Sequence, residues 1–319
     1  MKGKPAAIFG AFLLLAAALW LRNGPEVEVI IPTGASAQRI SEILGHNKVI
    51  RFPAAFKAMA LLSRLDRSLK PGEYVLNEGM LSPVVLWKLL RGGRDYIRVT
   101  IPEGWRVEQI GERLENFDIA PQAEFVRYVY SRDWEGYLFP ATYFLSKSMP
   151  AAKVARIMHE EFLDKVLPEF YRARASHPLQ QVVILASIVE REAVRQDEKP
   201  VIASVYLNRL RKRMNLEADP TVQYALGYWK KGLTFEDLKY PSPFNTYLYG
   251  GLPPRPICNP GFASIAGVLY PQPTEALYFV ADNTGGHTFS QSFENHLRAK
   301  SRAKQERDLN RRTQKTPKK

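Results

Sequence analysis

Cysteine is nearly missing from the 319-residue chain: Cys258 stands alone, which excludes an intrachain disulfide and any cysteine-cluster metal site. Histidine is sparse too, and His46, His159, His177, His287 and His296 are scattered. Met158-His-Glu-Glu-Phe162 lacks the second histidine that a zinc-protease helix needs. Neither a metal nor another cofactor is expected. Acidic residues are in deficit, 32 against 45 basic ones, and the net charge of +13 is unevenly held. From Leu297 to Lys319, ten Lys or Arg face only Glu306 and Asp308, in a helix-capable stretch poor in core residues. It reads as a solvated basic tail able to lie on anionic lipid headgroups. Apolar residues are not lacking. At 45% hydrophobic and 24% charged, the chain is not disordered and can build one large or two medium domains.

One apolar run is long enough to matter at a membrane. Residues 5–21 are uncharged, bracketed by Lys2, Lys4 and Arg22, with Trp20 near one end. At about 1.5 Å per residue the run just spans a bilayer core. Ala16-Ala17-Ala18 would suit a signal-peptide cleavage site, but polar residues normally follow such a site and here Leu19-Trp20-Leu21 continues. A retained transmembrane anchor is therefore expected over residues 1–22, with the N-terminus cytoplasmic and everything after Arg22 outside. A leading span argues against nucleic acid as the partner of the basic charge.

After the anchor, Val27–Ile31 predicts a strand, followed by an amphipathic helix with Ile40, Ile43 and Leu44 on one face. A second helix over about 53–65 and a strand at Gly72–Leu76 complete a βααβ order. That order resembles a LysM-like peptidoglycan-binding module; a plain spacer domain is the alternative. The stretch from Ile31 to Leu44 is echoed from Ile101 to Leu114, with Ile-Pro-x-Gly, Ile and Leu at equal spacing, each copy after a β-branched run. Two strand-turn-helix units are implied, joined by a helix over Ser82–Leu90. Longer helices are predicted over about 122–130, 151–173, 181–196 and 201–213. The aromatic segment Trp134–Tyr143 between the first two reads as core in preference to a sugar-stacking platform.

The helix over 181–196 is apolar on every side until it carries two carboxylates. On a wheel Glu192 stacks over Ile188 and Leu185, and Glu190 points to the opposite side. A carboxyl leaving an apolar surface resists ionisation, so its pKa rises toward the range of a general acid at neutral pH. A solvated helix end, with the glutamates paired to Arg191 or Arg195, is the bland alternative. Downstream, Asp219-Pro220 reads as an N-cap followed by the first helical residue. Residues 242–261 form a rigid Pro/Gly-rich loop suited to shaping a cleft, and Tyr278–Ala281 with Gly285–Phe289 a closing hairpin.

Ala-Ser-Ile-Val-Glu-Arg-Glu (186–192), Asp-Pro-Thr-Val (219–222), Asn-Thr-Tyr (245–247), Gly-Leu-Pro-Pro (251–254) and Gly-Gly-His-Thr-Phe (285–289), in this order, resemble the endolytic murein transglycosylase (YceG-like) family. The resemblance covers essentially the whole chain except its last twenty residues. It implies an α+β fold: an N-terminal transmembrane helix (1–22), a LysM-like βααβ subdomain (23–96), a mainly helical catalytic domain with short β-hairpins (97–299) and a basic tail (300–319). The implied protein faces the periplasm from the bacterial inner membrane, crossing it once, and cuts nascent glycan strands internally to leave 1,6-anhydro-MurNAc ends. Its partners would be peptidoglycan glycan strands, with peptidoglycan synthases as candidates. The catalytic glutamate of the family falls on Glu192. Glu190 and Asp219 are assigned structural support, Asn245, Thr246 and Tyr247 the glycan groove, and His287 a structural place in the hairpin. Arg255 stands where the family loop usually has glycine, which would strain a turn needing positive φ. Two other classes stay open: a non-catalytic peptidoglycan-binding scaffold, and a conventional hydrolase, which would need a second acid such as Asp219 or Glu217 across the cleft.

Overall fold

The computed structural model describes residues 24–32, 35–93, 96–228, 230 and 232–315. The expected anchor at residues 1–22 lies outside the described residues. Among the described residues no helix is long and apolar enough to cross a membrane. The described residues form a mixed α+β fold in two compact units, one of residues 24–98 with 144–147, the other of 99–143 and 148–315.

In the first unit β1 (Glu26–Ile31) pairs antiparallel with β2 (Gly72–Asn77), Val29 opposite Tyr74 and Val27 opposite Leu76. Period-two alternation puts Val29, Ile31, Tyr74 and Leu76 on one buried face. Against it pack α1 (Ala37–His46), α2 (Pro53–Leu62) and α3 (Ser82–Arg91), through Ile40, Leu44, Phe56, Val85 and Leu89. The Ser36 hydroxyl accepts from the Arg39 amide at 3.2 Å and starts α1. The βααβ order is as expected. So is the repeat: its second copy gives β3 (Tyr96–Thr100) and α4 (Val107–Asn116), and Ile31/Ile101, Ile40/Ile110 and Leu44/Leu114 are all at most 2% exposed. Each copy seats its isoleucine and leucine in the core of its own unit.

A strand that sequence reasoning missed, β4 (Thr142–Ser146), pairs with β3 and has its residues 144–146 in the first unit, while the second unit adds α5 (Gln122–Tyr130) and α6 (Ala151–Ala173). At its centre is α7 (Leu179–Glu192), buried at every position from Val182 to Val189, flanked by α8 (Lys199–Arg211) and α10 (Phe262–Leu269). A helix apolar all round is stable only when neighbours cover it on every side. Helix α9 (Asp219–Leu226) precedes the long loop, and β5 (Tyr278–Ala281) pairs antiparallel with β6 (His287–Ser290) as the expected hairpin. The aromatic segment is mostly core: Leu138 and Tyr143 are buried, and Trp134 stacks on His159 at 4.0 Å.

Two polar anchors fix the loop after α9. The Ser187 hydroxyl of α7 accepts from the Ile257 amide at 3.0 Å. Buried Asn259 accepts from the Gly136 and Leu138 amides at 2.9 and 3.0 Å and donates to the Trp105 carbonyl and the Glu135 carboxyl. The basic tail is expected to begin at residue 300. Helix α11 (Phe293–Lys315) runs through it, with Ala303 buried and its carbonyl accepting from Asn283 at 3.1 Å. The stretch read as a solvated tail is thus partly docked.

Candidate active site

The last turn of α7 sends three consecutive side chains in three directions, because each helical residue turns by about 100°. Glu190 turns to α8 and α10. Its carboxylate meets Lys199 Nζ at 3.2 Å, with side chains only 9% and 3% exposed. It also accepts from the Gly261 amide at 2.9 Å and the Ser264 hydroxyl at 2.6 Å. A negative group at the start of α10 is well placed for the helix dipole. The Glu190 carboxylate is thus fully engaged, paired with Lys199 rather than with Arg191 or Arg195.

Glu192 faces a cavity of ≈ 370 Å³ that it shares with Tyr206, Glu217, Asp219, Tyr247 and His287. The Tyr206 hydroxyl, 14 residues on in α8, donates to its Oε1 at 2.9 Å. Burial raises the Glu192 pKa to about 7; the Tyr206 hydrogen bond pulls it back, and the negative charge of Asp219 pushes it further up. A carboxyl with that value is part protonated at neutral pH, so it can give a proton and take one back within a turnover. Burial and Glu192 together hold the Tyr206 phenol far above its usual range, so it stays a neutral donor.

Asp219 is not the N-cap expected for α9. Ala218 occupies that place, Asp219 and Pro220 are the first two helical residues, and no side chain of the helix caps it. The Ala218 amide instead donates to Thr246 Oγ1 at 3.0 Å. The Asp219 carboxylate is thereby free for the cavity wall, where the Tyr247 hydroxyl donates to it at 2.6 Å.

Of the three residues expected in a glycan groove, Tyr247 alone lines the cavity. Asn245 is fully buried: its Nδ2 donates to the Leu238 and Tyr240 carbonyls at 2.9 Å, and its Oδ1 accepts from the Tyr247 amide at 3.0 Å. Thr246, 1% exposed, is bonded to Ala218 and Thr221. Both shape the wall from behind, since short polar side chains in a tight loop close hydrogen bonds on nearby backbone. His287 keeps the hairpin in place: its amide and Nδ1 meet the Glu198 carboxylate at 2.8 and 2.7 Å. Arg255 is not among the residues with positive φ, so the strain expected from its replacement of glycine does not arise. Its guanidinium lies over the Tyr130 ring at 4.8 Å.

Two functional-looking groups escaped the sequence. Tyr206 sits four residues after Ile202 on the apolar face of α8, so its pattern signals core only. Glu135, a single acid inside the aromatic segment, is fully buried, with its pKa raised to about 8, chiefly by burial and then by Glu108. It accepts from the Val107 amide at 3.3 Å at the start of α4 and from Asn259 at 3.2 Å, which makes it a structural knot.

Comparison with known proteins gives a consistent picture. The profile described as the YceG-like family matches residues 29–302. An endolytic murein transglycosylase of Bacillus subtilis strain 168 is 31% identical over 306 residues, covering 86% of this chain and 84% of that protein. One from Streptococcus pneumoniae D39 is 28% identical over 307 residues, and this chain spans 55% of its length. A crystal structure of a yceG-like protein from Listeria monocytogenes aligns with TM-score 0.56 and 31% identity, over 86% of this chain and 99% of that one.

Proposed function

The chain belongs to the YceG-like family, and from that premise we propose that it is an endolytic peptidoglycan lytic transglycosylase with Glu192 as its acid and base. The observation that carries this reading is the Glu192 carboxyl, set in a cavity wall with a pKa raised to about 7 and a neutral tyrosine donor fixing one oxygen. In its protonated form Glu192 gives its proton to the leaving oxygen of a MurNAc–GlcNAc bond. Charge grows at C1 of the muramyl ring as that bond breaks. The resulting Glu192 carboxylate then takes the proton of the same sugar's 6-hydroxyl, whose oxygen closes on C1 and forms the 1,6-anhydro end. One carboxyl serves both halves, and no water enters. Cutting strands in this way would limit their length during wall synthesis.

A binding scaffold of the membrane has no use for a proton donor in a cavity wall, so the raised pKa of Glu192 speaks for the enzyme. A second reading, conventional hydrolysis, is favoured by one observation: Asp219 and Glu217 share the cavity with Glu192, and a second acid is what hydrolysis requires. The N-terminal run over residues 5–21 supports a single-pass position in the inner membrane with both compact units in the periplasm, beside the synthases that supply nascent strands. The βααβ order of the first unit supports a LysM-like, glycan-reading role for it.

Purified residues 24–319 acting on uncrosslinked glycan test the reading. Mass analysis is expected to find anhydro ends distributed within strands. Reducing ends in their place would establish hydrolysis, and intact strands would leave the scaffold.

A further inference from the structure

Arg106, Arg191 and Arg255 converge on a second cavity of ≈ 470 Å³, different from the one that holds Glu192. They come from three places: the residue before α4, the last turn of α7 and the Pro/Gly-rich loop. No carboxylate of the described residues lies within ion-pair distance of any of them. Glu108 is the one acid on this cavity's wall, and it is occupied by the Tyr130 hydroxyl at 2.6 Å. Glu135 lies behind, with a pKa raised to about 8, so at neutral pH it is mostly uncharged and does not neutralise the arginines. Arg106 rests over the Tyr224 ring at 4.5 Å and Arg255 over Tyr130 at 4.8 Å. Such stacking holds a guanidinium by its face; Arg255 also bonds the Tyr224 hydroxyl, and its remaining N–H groups are left for a ligand. The buried Arg255 Nε has no hydrogen-bond partner. Three guanidiniums against the single Glu108 carboxylate leave this concavity with an excess of positive charge, which constitutes an oxyanion site.

Its position says which oxyanion. Arg191 is the chain neighbour of Glu192, about 3.8 Å away along the backbone. Helix α9 walls both cavities, giving Asp219 to one and Gln223 and Tyr224 to the other. The positive charge therefore lies in a cavity that shares a wall with the one where the bond is to be cut. A strand cut internally carries a stem peptide, with free carboxylates, on the muramyl residues next to that bond, whereas its lipid-linked pyrophosphate lies only at the strand end. We propose that this cavity binds a stem-peptide carboxylate, so that the enzyme engages peptide-bearing strands in preference to stripped ones. Tyr130, Tyr224 and Tyr228 line the same wall and supply hydroxyls for peptide amides, while the Gln223 side chain is held by the Lys230 backbone. The proposal rests on the transglycosylase reading for its ligand but not for its test.

The test is calorimetric titration of the purified chain with a synthetic stem tetrapeptide, with the same peptide amidated at every carboxyl, and with inorganic pyrophosphate. The acid peptide is expected to bind about tenfold more tightly than the amide, the loss typical of one charge-assisted hydrogen bond. Arg191→Gln, at an exposed and unpaired site, and Arg106→Gln should each weaken the acid peptide by a similar factor. The wild type should also have a lower KM for peptide-bearing than for amidase-stripped glycan. Equal binding of acid and amide, indifference to both substitutions, or arginine-dependent binding of pyrophosphate tighter than that of the peptide would each overturn it. Arginine-dependent peptide binding without any anhydro product would keep this site and discard the reaction; anhydro product with no such binding would do the reverse.

Discussion

Tyr206→Phe isolates how the acid is tuned. The Tyr206 hydroxyl donates to Glu192 at 2.9 Å and opposes the upward push of burial. Phenylalanine keeps the ring against Phe279, 5.8 Å away, and removes that single donor. A hydrogen bond to a charged acceptor contributes about 1.5–3 kcal/mol, part of which the protonated carboxyl recovers by donating to the tyrosine, leaving roughly 1.4 kcal/mol or one pH unit. The ionisation governing the general acid should therefore move from about 7 to about 8. A general acid works while protonated, so kcat/KM falls above this value, and the free enzyme's ionisation sets the limb. The ratio of variant to wild-type kcat/KM should rise about fivefold between pH 6 and pH 8, because at pH 8 about half of the variant is protonated against about a tenth of the wild type. Initial rates of anhydro-end formation from about pH 5 to about pH 9 measure it. A limb that stays in place or moves down would refute the assignment of Tyr206 as the donor that tempers Glu192.

Three further outcomes are expected. Glu192→Gln should lower the rate by about 10²- to 10⁴-fold with the fold intact. Because the folded carboxyl titrates near 7 against 4.5 unfolded, its protonated form is the one the fold favours, and the stability it confers is lost as pH rises through 7; urea unfolding should find wild type losing roughly 2–3 kcal/mol relative to Glu192→Gln between pH 5 and pH 8. A pH-independent difference would contradict the burial of this group. Glu190→Gln should retain most of the rate yet destabilise by about 3 kcal/mol, since buried Lys199 is left with only the more distant Glu103 carboxylate at 3.8 Å; a thermal melt with unchanged Tm would count against the structural role. Cell fractionation should recover the intact chain with the inner membrane, released only by detergent, and a mature chain beginning at Leu19 in the soluble periplasm would rule out the anchor.

What could be seen in the sequence depended on distance along it. Ile40 with Leu44 and Ile110 with Leu114 declare their helices because four-residue spacing is local and both copies bury the same positions. The opposite headings of Glu190 and Glu192 follow from the same arithmetic. Their partners do not: Lys199, Ser264 and Tyr206 come from two other helices, and no periodicity links them to α7. Asp219-Pro220 misled because an aspartate before proline suits either a cap or a first turn, and only Thr246, from a distant loop, decided between them. Asn245 and Thr246 misled in the opposite sense. Polar residues in a cleft-lining loop read as ligand contacts, yet here they are consumed in holding that loop. The basic stretch after Leu297 hid its docked face because one alanine, Ala303, leaves almost no apolar signal.

The three-way divergence at the end of α7 makes the helix behave like a combination lock. Its apolar body from Val182 to Val189 tolerates rotation poorly, but if a single residue were inserted there the final turn would advance by one step. Arg191 would then stand where Glu192 meets Tyr206, and Glu190 would take the arginine's place among the tyrosines. Acid, cation and structural tie would all be wrong at once although every residue was still present. Substitutions in this segment can drift one position at a time; changes in its length cannot.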